Sequence, residues 1–576
     1  MSYLDLPRLC FSGKFQADVS TQNNDPGHYS PEVILNPWWN KMGSHFFQFA
    51  DCTVGSVTFA GGHFETTEAG DSIVTTPVIS TNDPQVAKMV DLDPEQQMVS
   101  QVWGLQLCIG DRDKGNFVLG NFRAAPFRDL GGRVPTMGGM GSVSATYLSV
   151  IDVLEWGTNL SPAMSALQTA GGNLLSIRFV VDLFDAQAML PGFIPNPHFT
   201  WGRVCGAIGP AKATDPTNFV VGRFLRIPPA PPQPMMADAT AAKVGRAEAA
   251  AAPPAPPPSF NYAPAIVETS TDTSTGRLSF DFGNSLSITP DGDPYPPMGT
   301  LQVAISGGAT IGTIPATKDD YLQRSWIYDF FDNSLANAAA NAPLTLLSDG
   351  KTALIENENG TYVDFTEWVY RANPEDSPLN VTVMTLQWGK PLANQVVNII
   401  NNSANVLAPA SANVIPPDQP ATNMPFDTSP GITFPPSVTT GSDGTRTFQV
   451  TLSDPGDPRD GLEGQVYAIA PQWDQDANPD PWIAASILLH TGQPPVPDDP
   501  QWETDILPIF AQYMKLYPFM QDRMNLADEA TVIGGAKFIE KLLTLPMTDP
   551  RFMPVTRDLS SVRLNTILKW LRAQQK

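Results

Sequence analysis

The sequence predicts a mainly β protein: two antiparallel β-rich domains, sandwich or barrel-like, with a small C-terminal helical appendage. Three observations carry this expectation. First, 57 prolines and 44 glycines make roughly one residue in six a breaker, which suits short strands joined by turns and disfavours a helical bundle. Second, runs such as SVTFAGGHFE, SQVWGLQLCIG, GNFVLGNFRA, LSIRFVVDLFDA, GRLSFDFGNSLSI, NVTVMTLQWGKP and RTFQVTLSDP are rich in β-branched and aromatic residues and bounded by Gly, Asn, Asp or Pro. Third, the apolar period changes from that of a strand to that of a helix after Trp502.

With 576 residues the chain is too long for one ordinary core. One shift in composition divides it. The stretch RIPPAPPQPMMADATAAKVGRAEAAAAPPAPPPSF is almost wholly Pro and Ala and offers few side chains able to pack, so residues 229–260 read as a linker. Residues 1–228 are then the first β domain, 261–500 the second, and 501–576 the helical segment. Within the second domain, LQVAISGGATIGTIP reads as a hairpin turning on Gly307 and Gly308.

Three helices are expected in the last segment. Ile506, Phe510, Tyr513 and Tyr517 fall on one helical face, with Asp505 as N-cap and Pro508 in the first turn. A second helix starts at Asp528, buries Val532, Ala536, Ile539 and Leu543, and stops before Pro546. A third, capped by Asp558 or Ser560, presents Leu564, Ile567, Leu568 and Leu571.

The net charge of −24 opposes binding to phosphate backbones and anionic membranes, so neither nucleic acid nor a membrane is an expected partner. Cys10, Cys52, Cys108 and Cys205 are widely spaced and form no C-x-x-C pair, which gives a thiolate zinc site nothing to build on. They read as reduced and buried. With no basic and apolar leader and no apolar run of about 18 residues, a cytoplasmic protein is expected.

Several stretches carry a resemblance: LDLPRLCFSG (Leu4 to Gly13), VGRFLRIP (Val221 to Pro228), LYPFMQDRMNLAD (Leu516 to Asp528) and FMPVTRDLSSVRLNTILKWL (Phe552 to Leu571). Together they resemble the N-terminal, β-rich half of the indolepyruvate imine dimer synthases of violacein biosynthesis and their chromopyrrolate-synthase relatives. In that family the β-rich half precedes a ferritin-like domain that holds iron and couples imines derived from aromatic amino acids. The resemblance implies an accessory or binding subunit that works with a separate ferritin-like partner, or forms a homo-oligomer. A ferritin-type site needs Glu-x-x-His pairs on facing helices, and none of the five histidines has a Glu three residues before it. The family's catalytic residues therefore map onto no position here, and no catalytic residue is assigned.

Two constellations are candidate sites. NPWWNKMGSHFFQF gathers Trp38, Trp39, His45 and Phe47; a packed core is the expected reading, and a pocket for an indole or phenyl ring with His45 as polar contact the alternative. WDQDANPDPW places Asp474, Asp476, Asn478 and Asp480 at alternate positions, the spacing of oxygen ligands around a hard cation such as calcium. Pro479 and Ala485 stand where an EF-hand requires Gly and Glu, so an acidic turn is the expected reading, calcium the alternative, and no other cofactor is expected. Arg8 and the Arg557-Asp558 pair read as architectural, fixing the path of the chain at a strand and at a helix start. Against the accessory role stand two alternatives: an enzyme of aromatic natural-product biosynthesis with a pocket between the β domains, and a structural or self-assembling protein.

Overall fold

The computed structural model describes residues 3–18, 43–81, 86–92, 99–133, 143–182, 201–228, 260–270, 275–289, 291–295, 298–403, 431–456, 463–474, 483–516, 520 and 523–575. The chain is mainly antiparallel β with a cluster of helices near its C-terminal end, as the sequence predicts.

The first sheet is built from β1 (Arg8–Ala17), β2 (Phe46–Thr58), β3 (Phe64–Glu65), β4 (Pro77–Ser80), β5 (Ala87–Asp91) and β6 (Ser100–Trp103). It continues with β7 (Gln106–Asp111), β8 (Asn116–Phe122), β9 (Ala125–Gly132), β10 (Val143–Trp156), β11 (Leu174–Asp182) and β12 (Trp201–Pro210). Hydrogen bonding runs β1-β12-β11-β10-β9-β6-β5-β2 and returns to β1, closing a barrel. The long strands β2 and β10 carry two partners each on the same side. Phe46 and Phe47 of β2 pair with β5 while Cys52 and Thr53 pair with β4, and β10 likewise divides between β9 and β8. One side of the barrel wall is thus two short three-stranded pieces placed end to end. Helix α1 (Pro162–Gly171), capped by Ser161 with Pro162 in its first turn, buries Ala163, Met164 and Leu167 against the barrel core. That core is aromatic: Phe11, Phe15, Phe47, Phe49, Phe127, Tyr147 and Phe179 fill it, and truncating one such ring to Ala costs on the order of 3–5 kcal/mol.

The second sheet comprises β13 (Arg223–Arg226), β14 (Ala263–Glu268), β15 (Arg277–Asp281), β16 (Leu301–Ile305), β17 (Thr310–Ile314), β18 (Ile327–Phe331), β19 (Leu344–Ser348) and β20 (Lys351–Glu356). Its order is β17-β16-β19-β20-β13-β14-β15-β18, a near-barrel whose end strands approach one another. The approach is close at Gly312, where an added Cβ would lie 2.1 Å from the Phe330 ring, so only glycine lets β17 pass there. The expected hairpin at Gly307 and Gly308 is formed by β16 and β17, with Gly307 at φ 66°. Helices α2 (Lys318–Arg324) and α3 (Asn333–Ala339), capped by Thr317 and Asp332, flank β18.

The tract expected to separate the domains at 229–260 connects β13 to β14, and these two strands are adjacent in this sheet. Strand β13, which the sequence division places at the end of residues 1–228, also pairs with β20. Its hydrogen bonds and its buried Arg223, paired with Glu356, join it to the strands on the C-terminal side of the tract. Composition marks where packing side chains run out; it carries no information about which strands flank the gap.

The span 261–500 also holds a two-layer unit: β21 (Thr361–Phe365), β22 (Val369–Ala372), β23 (Leu379–Gln387), β24 (Lys390–Pro391), β25 (Val396–Asn401), β26 (Ile432–Thr433), β27 (Ser437–Thr439), β28 (Thr445–Leu452), β29 (Gln465–Gln472) and β30 (Ala485–Leu489). One sheet runs β21-β23-β28-β26 with β24 attached, the other β22-β30-β29-β25-β27. The β22–β30 pair is parallel, and the other described ladders are antiparallel. Phe448, Val450 and Leu452 of β28 face the shared core while Thr447, Gln449 and Thr451 face outward, the period-2 pattern legible in the sequence.

In the last segment, π-type turns over Trp502–Ile506 lead into α4 (Leu507–Leu516). The first turn thus starts before the expected Asp505 cap, and the Asp505 carboxylate instead accepts from the Gln501 N–H at 2.7 Å. Ile506, Phe510 and Tyr513 are buried as expected, while Tyr517 lies outside the described residues. The second expected helix is two, α5 (Glu529–Gly534) and α6 (Ala536–Leu543), broken at Gly535; Asp528 caps α5, and Val532, Ala536, Ile539 and Leu543 are buried as expected. Ser560, rather than Asp558, caps α7 (Ser561–Gln574), accepting from the Arg563 N–H at 3.1 Å. Ile567, Leu568 and Leu571 meet Trp502, Phe510 and Ile539 in one core.

The place of the 229–260 tract generates a test. If a specific protease site is installed in that tract and cut, the β13–β14–β20 ladder should hold the two pieces together. They should co-elute in size-exclusion chromatography with a melting temperature within a few degrees of the uncut protein; separation of the pieces would show that β13 does not bind across the tract.

Candidate functional site

His45 sits at the barrel rim immediately before β2, buried, with φ 60°. Its Nδ1 lies 3.2 Å from the Met89 carbonyl, and its own backbone pairs with Asp18 and Met89. Phe47 lies inside the barrel, its ring centroid 5.9 Å from that of Phe15 and 6.1 Å from that of Phe179. Phe47 is thus part of the packed core. Trp38 and Trp39 lie outside the described residues. Asp474 is exposed just beyond β29, while Asp476, Asn478 and Asp480 lie outside the described residues. Among the described residues, no three His, Cys, Asp or Glu side chains are placed to hold a metal ion.

The polar constellation that sequence reasoning missed lies where barrel, near-barrel and two-layer unit meet. Arg178 of β11 reaches across to Asp281 of β15 through two hydrogen bonds, one of them from Nε at 2.7 Å, and donates to the Ser325 hydroxyl at 2.7 Å. The Tyr3 hydroxyl donates to the same carboxylate at 2.5 Å. Arg128 of β9 donates to the Asn218 carbonyl at 3.0 Å and to Asp364 of β21 at 3.3 Å, with its guanidinium 3.4 Å from the centre of the Trp368 ring. Asp364 also accepts from Tyr362 at 2.7 Å and Trp368 at 2.8 Å, and the Tyr362 hydroxyl receives that of Tyr262 at 3.2 Å. Burial pushes the Tyr262 and Tyr362 hydroxyls well above the ordinary tyrosine range, so both stay protonated.

A cavity of about 40 Å³ remains among Tyr3, Arg128, Asp129, Arg178, Tyr262 and Asn284. A drug-sized ligand needs roughly 300–1,000 Å³, whereas a single water needs about 10–15 Å³ of such space. The cavity thus fits water, and the buried Arg128 Nε, which lacks a protein partner, is a donor for it. Arg128 and Arg178 each face a carboxylate, and the residues lining the cavity place no activated nucleophile beside a base. The arrangement is suited to locking the three units together.

A larger space, an open cleft of about 970 Å³, lies at the helical segment, lined by Asp498, Asp499, Glu529, Lys569 and Arg572 among others. Trp502 and Trp570, with ring centroids 5.2 Å apart, line it. This segment is fastened to the β body by Arg557. The guanidinium donates to the carbonyls of Met547 and Asp549, each at 3.0 Å, and of Val555, and lies 5.0 Å from the ring of Trp103 at the end of β6. Arg371 of β22 lies 5.6 Å from the same ring. Burial, with Arg371 adding repulsion, pulls Arg557 down to about 9. Beside Trp103, Gly104 at φ 70° lets Pro550 approach so closely that a Cβ there would lie 2.8 Å from it. Asp558 accepts from Tyr513 at 3.0 Å and from Thr556 at 2.5 Å; Arg557 and Asp558 therefore act apart, each holding a different part of the tail.

No family model matches this chain, and no curated protein matches it. Among solved structures it aligns with a chain described for structural insight into host cell surface retention of a 1.5-MDa bacterial ice-binding adhesin, at 11% identity and a TM-score of 0.11, over 62% of this chain and 90% of that one. At that score the likeness carries no argument. No helix among the described residues is long and apolar enough to cross a membrane.

This geometry has two measurable outcomes. Burial holds the His45 imidazole down to about 3 from an ordinary 6.5, so between those values the unfolded chain binds a proton that the native state does not. The stability contributed by neutral His45 is present above about 6.5 and is lost as pH falls toward 3, at up to about 1.4 kcal/mol per pH unit. His45→Asn, which tolerates φ 60°, should flatten the urea-unfolding free energy against pH in that window; identical slopes would refute the assignment. Separately, Arg178→Met should leave Asp281 buried and uncompensated and cost about 3–5 kcal/mol in the same assay, while the double variant Arg178→Met, Asp281→Leu should recover most of it.

Proposed function

We propose that this chain is an accessory or binding subunit that works with a separate ferritin-like oxidative enzyme in aromatic specialised metabolism, in the cytoplasm. The observation that carries the reading is the helical segment. Its family-like stretch Phe552 to Leu571 is anchored to the β body through Arg557 and Trp103, and through Ser561, whose N–H donates to Asn373 at 2.8 Å. The same segment exposes Ile533, Phe538 and Met547, three large apolar side chains within fifteen residues. In the resembled family this segment leads into the ferritin-like domain, and a tethered segment with exposed apolar side chains is what a separate domain of that kind would require for docking. The enzyme alternative, with a substrate pocket between the β domains, is disfavoured by the 40 Å³ volume at the junction of the three units.

The test is direct. Adding the purified chain to a ferritin-like iron oxidase supplied with the imine of indolepyruvate should raise the yield of coupled dimer and give a complex of defined stoichiometry by sedimentation. Phe538→Glu should weaken that complex at least tenfold without lowering the melting temperature. Unchanged products together with no complex would overturn the proposal.

A further inference from the structure

We propose that Asp558 is a proton-operated latch on the helical segment. The closed turn that leads into α7 holds it as the neutral acid, and loss of that proton to solvent opens the turn.

Asp558 is buried in the turn before α7. Tyr513 of α4 and Thr556 both donate to its Oδ1, and its own amide also faces the carboxylate. Among the described residues no ion pair forms with it, because the cations around it are engaged elsewhere. Arg557, its neighbour in sequence, turns to the carbonyls of Met547, Asp549 and Val555. Arg371 of β22 donates to the Gln101 side chain and to the Asp91 carbonyl, the latter at 3.1 Å. Arg563 of α7 pairs with Glu463, just before β29, at 3.3 Å. Glu463 thus takes the counter-ion that α7 provides, and it lies close enough for the two carboxylates to repel.

A charge kept from water with only hydroxyl and amide donors is costly, whereas a neutral acid both donates and accepts in the same place. Burial accordingly raises the Asp558 carboxyl from an ordinary 3.8, against the pull of Thr556, Tyr513 and Arg371. Tyr513 stays protonated, since burial lifts its hydroxyl well above the tyrosine range. The same turn ties the tail to the two-layer unit: the Ser560 N–H donates to Glu463 at 3.4 Å and the Ser561 N–H to Asn373 at 2.8 Å. Opening the turn breaks these bonds and lets Asp558 ionise in water, so closing it binds one proton. The stability contributed in this way is fully present below about 3.8 and is lost as pH rises through the raised value of the closed state. The sign is opposite to that of His45, whose contribution is lost as pH falls, so the latch has to be read locally.

The experiment follows hydrogen exchange by mass spectrometry across the first turns of α7 in the full chain, corrected at each pH for the intrinsic amide rate. Protection should fall as pH rises from about 4, by up to about tenfold per unit for one proton, and then level off. Asp558→Asn keeps an oxygen for the two hydroxyls and should give flat protection over the same range. Should that variant fail to fold, Tyr513→Phe removes a donor that favours the ionised acid, and it should move the levelling-off to higher pH. Protection independent of pH in the wild type, equal slopes in the wild type and Asp558→Asn, or a loss of protection in Tyr513→Phe that is the same at every pH would each overturn the proposal.

Discussion

Buried arginine–carboxylate pairs hold the three β units in one arrangement. Arg8 of β1 meets Asp329 of β18, Arg178 of β11 meets Asp281 of β15, and Arg128 of β9 meets Asp364 of β21. Each joins the barrel to a different element, and both partners are almost wholly inaccessible. Such a pair gains little net stability, because the desolvation of two charges offsets most of their attraction. Its consequence lies in the alternatives: any shift of one sheet over another would leave a charge buried without its counter-ion, at a cost of several kcal/mol. The pairs therefore fix relative placement more than they add stability, and the donors Tyr3, Tyr362 and Trp368 on the carboxylates, with the Ser325 hydroxyl accepting from Arg178, tighten that placement further.

The same logic explains why the aromatic-rich barrel is closed to ligands. Its interior rings pack edge-to-face and stacked, with Phe49 and Phe179 at 5.1 Å and Tyr147 and Phe179 at 4.7 Å. Rings at such spacing fill the barrel with side chains, as expected for about eight strands around a ring. What the barrel offers outward is its end: Trp103 and Gly104 receive Arg557 and Pro550 from the helical segment. The opening motif LPRLCFSG and the closing motif MPVTRDLS thus serve related purposes. Arg8 ties the first strand to the near-barrel, and Arg557 ties the tail to the first sheet.

What the sequence made legible was local. The hairpin at Gly307, the alternation along β28 and the buried faces of α5, α6 and α7 depend on residues a few positions apart, so period and turn chemistry suffice to read them. Arg8 and Asp329 are 321 positions apart, and nothing in the neighbourhood of either names the other. Asp364 illustrates the difficulty: in sequence it is one more strand carboxylate, and only the fold brings Arg128, Tyr362 and Trp368 around it. The aromatic cluster before β2 shows the converse, since a run of rings looks alike whether it lines a pocket or fills a core, and Phe47 fills one. The Pro/Ala tract is a third case, where composition drew a boundary and strand pairing shows which strands stand on either side of it.

These constraints bear on where function can reside. A junction held by paired charges with room for little more than water cannot change shape without breaking several buried ion pairs at once, so catalysis that needs closure is poorly served there. Among the described residues, the apolar groups left over after the units lock include Ile533 of α5 and Phe538 of α6. They stand on a segment that Arg557 and Ser561 tie to the β body. A surface tied down in this way loses less freedom on association than a free segment would.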